Sequence, residues 1–99
     1  MSKWADYVIT AVRYSGDSIN QVRVYEDDGD QLVNRDTKSR MAVILSLSVG
    51  QEYCTAYKNN NRKWTKGDDV GTVEVNGTTY LRTDGNNIAS DNLGELPEF

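Results

Sequence analysis

The spacing of apolar and polar residues changes character several times along the chain, and each change marks an element. Residues 6–14 (DYVITAVRY) concentrate β-branched and aromatic side chains, which suit a pleated, half-buried surface, and predict a strand. Tyr14-Ser15-Gly16-Asp17-Ser18 is a turn cluster. Residues 19–25 (INQVRVY) alternate, with Val22 and Val24 on one side, and predict a second strand antiparallel to the first. The polar run at 26–30 ends it.

The stretch 43–49 (VILSLSV) is compatible with either period. It alternates like a strand, and it also continues a helical pattern that starts near Lys38 and runs to Val49. The ends favour the helix: Asp36 or Thr37 can serve as N-cap, and Gly50 stands where a C-terminal cap belongs. The apolar arc of that helix is broad, including Met41, Val43, Ile44, Leu45, Leu47 and Val49. A helix on a small domain needs one apolar stripe, so the excess predicts either deep burial or a second contact, with homo-oligomerisation through the 38–49 helix as one form of it.

Residues 52–58 (EYCTAYK) predict a third strand, followed by an Asn59-Asn60-Asn61 loop. Residues 70–75 and 78–83 flank Asn76-Gly77, the strongest short hairpin signal because both positions tolerate positive φ. The expectation is an α+β domain spanning residues 1–99. It would have a small, mostly antiparallel sheet of about five strands and one helix, in the order β-β-α-β-β-β. The last twenty residues run from a strand-like YLRT through an Asn- and Gly-rich loop to Leu93, Leu96 and Phe99, which predicts an ordered tail that returns to the core.

Composition changes this picture little but removes several functions. The apolar share is 37%, and the eight glycines bring it near the ~45–50% usual for globular chains. A net charge of −4 argues against duplex DNA, which needs a basic stripe. The chain has no His, so it lacks the usual general base and the commonest metal ligand. With one Cys and no long apolar run, neither an internal disulfide nor a membrane partner is expected, and a reducing, cytoplasmic setting fits.

No catalytic constellation is visible, and no cofactor or metal is expected. The acidic residues at 26–30 lack the spacing of a calcium loop and read as a solvated turn. Cys54 lies within a predicted strand with no His to activate it, and reads as a small buried residue. The segment 59–69 (NNNRKWTKGDD) sets Trp64 among Arg62, Lys63 and Lys66. Aromatic stacking beside cations is how single strands and nucleotides are held, although Trp64 can equally pack back onto the sheet. Arg13, Arg23 and Arg82 fall on predicted strands, where an Arg lines either a wet sheet face or an anion pocket. Tyr80 and Arg82 share one face of their strand, and Asn86, Asn87 and Asn92 offer uncharged hydrogen bonds.

Three stretches carry a family resemblance: Tyr7-Val8-Ile9-Thr10-Ala11-Val12-Arg13, the hairpin running into Tyr80-Leu81-Arg82-Thr83, and Asp91-Asn92-Leu93-Gly94-Glu95-Leu96-Pro97. Together they resemble the small bacterial family called domain of unknown function 3892. That likeness implies a helix in the middle of the chain and implies no activity. This chain departs from the family at the helix start, where Lys38, Ser39 and Arg40 replace acidic residues. The expectation for function is a non-enzymatic module that binds a polar or anionic, nucleotide-type ligand through Trp64, Tyr80, Arg82, Asn86 and Asn92. The alternative is a protein-interaction or assembly module without a small ligand.

Overall fold

The computed structural model describes residues 4–16, 18–29, 31–58, 60, 63–83, 91, 93, 94 and 96–99. Six strands and one helix follow the order β1 (Tyr7–Ser15), β2 (Ser18–Asp27), β3 (Leu32–Ser39), α1 (Arg40–Ser48), β4 (Tyr53–Lys58), β5 (Trp64–Val75) and β6 (Thr78–Arg82). The strands form one sheet in the order β3-β2-β1-β4-β5-β6. The fold is α+β, with two corrections to the expected order. The helix is preceded by three strands rather than two, and the sheet is mixed because β1 and β4 run parallel, with Tyr7, Val8 and Ile9 opposite Tyr53, Cys54 and Thr55. Parallel neighbours need a crossover between them, and β2, β3 and α1 supply it.

The missed strand, β3, has the sequence LVNRDTKS, most of it polar. It is an edge strand, so its hydrogen bonds to β2 hold it although its side chains carry little apolar signal. A register shift opposite Tyr25 places Asn34 at φ 54, a left-handed conformation that Asn tolerates better than most residues.

α1 is shorter than the 38–49 expectation. Its N-cap is Ser39, whose hydroxyl accepts from the Ala42 N–H at 3.1 Å, rather than Asp36 or Thr37, which pair within β3. Its C-terminus matches the expectation. Gly50 takes φ 95 and donates to the Leu47 carbonyl, while the Gln51 N–H reaches the Ser46 carbonyl, satisfying two otherwise orphaned acceptors. The Asn76-Gly77 hairpin also forms, with φ 52 and 82 at its two central residues. β5 starts at Trp64, earlier than expected. The segment 64–69 is a strand because its backbone pairs with β4, overriding the weak strand propensity of its Gly and Asp residues.

Alternation along the strands divides the side chains between two faces. The helix side holds Ile9, Val12, Val22, Val24, Tyr53, Val70 and Leu81, closed by Val43 of α1 and by Leu93. Each fully buried aliphatic side chain here contributes on the order of 1.5–3 kcal/mol. The opposite face carries a smaller cluster of Ala5, Val8, Cys54 and Ala56, with Trp4, Leu32 and Trp64 packed against it.

The tail closes the domain through Asp91. Its side chain is fully buried and accepts four hydrogen bonds: from Ile19 N (3.1 Å), Leu81 N (2.9 Å), Arg40 Nε (2.8 Å) and Arg40 Nη2 (3.1 Å). One carboxylate thereby joins the start of β2, the first residue of α1 and the outer edge of β6. Arg40 also donates to the Thr79 carbonyl on that edge. Further on, the Val12 N–H donates to the Pro97 carbonyl at 2.9 Å and the Phe99 N–H to the Val12 carbonyl at 3.0 Å, so the tail runs parallel to β1 beyond the end of its pairing with β4. Leu93 and Leu96 join the core as expected, but Phe99 does not. Its ring lies between two arginines on the far side of the sheet.

Candidate functional site

Val22 and Val24 point into the helix-side core, so Arg23 and Tyr25 project from the opposite face of β2, and Arg13 does the same beside Val12 on β1. The Arg13 guanidinium sits 4.7 Å from the centroid of the Phe99 ring and that of Arg23 sits 4.6 Å from it. Arg13 Nε also donates to the Phe99 carbonyl at 2.9 Å, and its Nη1 reaches Gln21 Oε1 at 3.3 Å. Two positions along β2, the Tyr25 ring meets Trp64 at 5.7 Å in a tilted arrangement, and Lys58 Nζ lies 5.0 Å over the Trp64 ring.

Lys58, Trp64 and Tyr25, then Arg23, Phe99 and Arg13, thus lie as a row of two ring-and-cation groups on the helix-free face, linked by the two-residue spacing of Tyr25 and Arg23 on β2. Arg13 and Arg23 over Phe99 and Lys58 over Trp64 place three cations of this acidic chain against rings on this face. Small side chains make the row possible. Val8, Cys54 and Ala56 are fully buried beneath it, leaving room for Trp64 and Tyr25 to lie across several strands.

The residues proposed from sequence are only partly gathered here. Trp64 packs back onto the sheet, half-buried, and belongs to the row. Arg82 pairs with Gly71, seven residues farther along β5, or roughly 23 Å at ~3.3 Å per residue, and Tyr80 pairs with Val73, farther still. The Tyr80 ring instead lies 5.8 Å from the Arg40 guanidinium. Arg82 is buried and lines a shallow cleft of about 260 Å³ with Asp69, Thr72 and Thr83. Trp64 therefore shares no small pocket with Tyr80 or Arg82, and Asn86 and Asn92 lie outside the described residues. Tyr25, Lys58 and the placement of Phe99 were not anticipated from the sequence. The signal for Tyr25 was its two-residue spacing from Arg23 in an alternating strand; Phe99 carried no such signal, because an apolar residue after Leu93 and Leu96 reads as core.

An acidic cleft lies elsewhere on the domain. It has a volume of about 430 Å³, sits near the ends of β1 and β2 and is lined by Asp6, Glu26, Asp27, Asp28, Asn34 and Gln51 among others. Its acids are already engaged as turn acceptors. Asp27 takes the Trp4 N–H at 2.7 Å and the Gly29 N–H at 2.9 Å, Asp28 takes Gln31 N–H, Asp6 takes Glu52 N–H, and Glu26 takes the Asn34 amide. Glu26 and Asp27 end β2 and Asp28 follows it, so the described acids of this run serve to organise backbone. Among the described residues no group of three or more Cys, Asp or Glu is placed to hold a metal ion.

Cys54 is buried under the ring row. Burial pushes its thiol up to about 11, with Asp69 and Asp27 adding to the shift and Lys66 opposing it, so the thiolate is scarce near neutral pH. Lys66 is itself raised by its hydrogen bond to Asp69, at 3.1 Å. No helix among the described residues is long and apolar enough to cross a membrane.

The profile of a family described as a protein of unknown function, DUF3892, matches residues 8–97. The chain belongs to this family. The match takes in β1 to β6, Asp91 and most of the tail, so the DUF3892 domain is the whole fold described above. No curated protein and no solved structure matches the chain.

Proposed function

We propose that this DUF3892 chain is a non-enzymatic binding module for a nucleotide-type ligand, held on the helix-free face of its sheet. The observation that carries the proposal is the row of Tyr25 and Trp64 beside Arg23 and Arg13. Residues two apart on a strand are separated by about 6.6 Å, a distance a nucleotide spans between base and phosphate. The base stacks on Tyr25 and Trp64, and Arg23 pairs with the phosphate. Base–aromatic stacking contributes roughly 1–3 kcal/mol and a charge-assisted hydrogen bond ~1.5–3 kcal/mol, which together support dissociation constants between tens of micromolar and about 15 mM. The acidic cleft near β3 repels an anion, which leaves this face as the preferred place for it.

The test is a thermal-shift titration with AMP and with a ten-nucleotide oligothymidylate. Saturating ligand at a hundredfold its dissociation constant adds about 2.7 kcal/mol of stability. Arg23→Ala and Tyr25→Ala are expected to weaken binding about tenfold each. Absence of any shift with AMP at about 50 mM, above the weakest dissociation constant expected, and with the oligonucleotide at millimolar concentration refutes the proposal.

A second reading, self-association, is favoured by one observation. Met41 and Leu45, one turn apart on the outer side of α1, and Val49 at its C-cap are 57%, 59% and 77% exposed. Light scattering with Leu45→Glu decides it: a dimer that the variant dissolves supports the reading, and a monomeric parent at high concentration ends it.

A further inference from the structure

The Phe99 ring and the Arg13 and Arg23 side chains make contacts that a bound nucleotide would also require, and we infer that segment 97–99 is an internal latch over the anion end of this face. The inference rests on the nucleotide reading above and adds a specific competitor to it. Arg13 spends its Nε–H on the Phe99 carbonyl. A guanidinium that grips a phosphate bidentately uses neighbouring N–H groups along one edge, and Nε–H is one of the two on its side edge. The ring of Phe99 takes the planar faces of both guanidinium groups, the surfaces on which a nucleobase or other planar aromatic anion would stack. Donor edge and stacking faces are therefore occupied together by one residue.

The attachment of this segment is light. Two backbone hydrogen bonds to Val12 and the Phe99 contacts with Arg13 and Arg23 hold it against β1, and Leu96 packs on the core only in part. The strong anchor of the tail lies upstream, at the buried Asp91 and Leu93, and does not depend on Phe99. Residues 97–99 can lift from β1 while Asp91 keeps its four hydrogen bonds. The Arg13–Arg23 slot then accepts the phosphate of a nucleotide whose base lies on Tyr25 and Trp64, with Phe99 as the group displaced. A ligand must open the latch to bind, so the closed state lowers the apparent affinity by the fraction of molecules that are open.

Isothermal titration of AMP into the parent chain, Phe99→Ala and Phe99→Leu tests this. Phe99→Ala is expected to bind about tenfold more tightly, the size set by giving up two cation–π contacts, and Phe99→Leu, which keeps apolar bulk without a π-face, is expected to gain as well. Adding Arg13→Ala to Phe99→Ala removes the gain. A parent that binds AMP while both Phe99 variants bind equally or more weakly overturns the latch and leaves the nucleotide reading standing. If neither the parent nor either variant binds AMP at about 50 mM, both fall.

Discussion

Replacing Asp91 by Asn changes one oxygen to an amide nitrogen with almost no change in volume, and the geometry makes that small change costly. Four donors converge on the two carboxylate oxygens: two N–H groups of Arg40 and the backbone N–H groups of Ile19 and Leu81. Each oxygen receives one bond from Arg40 and one from the backbone. An Asn side chain offers only one acceptor oxygen, so whichever way it turns, its NH2 faces two donors. The guanidinium also loses its counter-charge in a site where the carboxylate is fully buried and the Arg40 side chain is 22% exposed. Removing one partner of a buried ion pair costs roughly 3–5 kcal/mol, and the partial exposure of Arg40 favours the lower end. Domains are stable by about 5–15 kcal/mol, so the loss is a large fraction of the total. At roughly 4–8 °C per kcal/mol for this size of domain, a loss of ~3 kcal/mol lowers Tm by at least about 12 °C. Differential scanning calorimetry of parent, Asp91→Asn, Arg40→Met and the double variant measures both the loss and the coupling, which should exceed ~1 kcal/mol. The gap between parent and Asp91→Asn should persist from low salt to about 0.5 M salt, because a buried pair is poorly screened. A Tm within about 3 °C of the parent for Asp91→Asn would refute the reasoning.

Two other outcomes follow from the same packing. Cys54 should react with iodoacetamide at pH 8 far more slowly in the folded chain than in urea, and because its thiol is raised from 9.0 to about 11, the unfolded state ionises first. The stability from this group is present below pH 9 and is lost as pH rises towards 11, which a urea-melt series checks; rapid labelling of the native chain contradicts the burial argument. Gly67→Ala should destabilise the domain by ~1–3 kcal/mol, read as a lower urea midpoint at unchanged slope, because a Cβ there meets the Thr55 hydroxyl, which cannot move freely while it accepts the Asp68 N–H at 3.0 Å.

Much of this domain is legible in its residues, wherever the structural cause is local. The Asn76-Gly77 turn, the Gly50 cap, the burial of Cys54 and the strands at 6–14 and 19–25 follow from dihedral preferences and alternation within a few positions. β3 was not legible, since an edge strand is held by backbone pairing that polar side chains do not announce. The extension of β5 back to Trp64 depends likewise on β4 being there to receive it. Tertiary structure alone decided the candidate site. The sequence grouped Trp64 with Tyr80 and Arg82 by residue type, as rings and cations beside an Asn-rich loop, but β5 rises about 3.3 Å per residue and carries Trp64 away from the residues that pair with Tyr80 and Arg82, while the sheet brings Tyr25 of β2 to Trp64 of β5. Asp91 shows the same division: its residue type and its place in the tail motif could be read directly. Its partners could not, since Ile19, Arg40 and Leu81 come from three elements and meet one carboxylate only after the chain has folded.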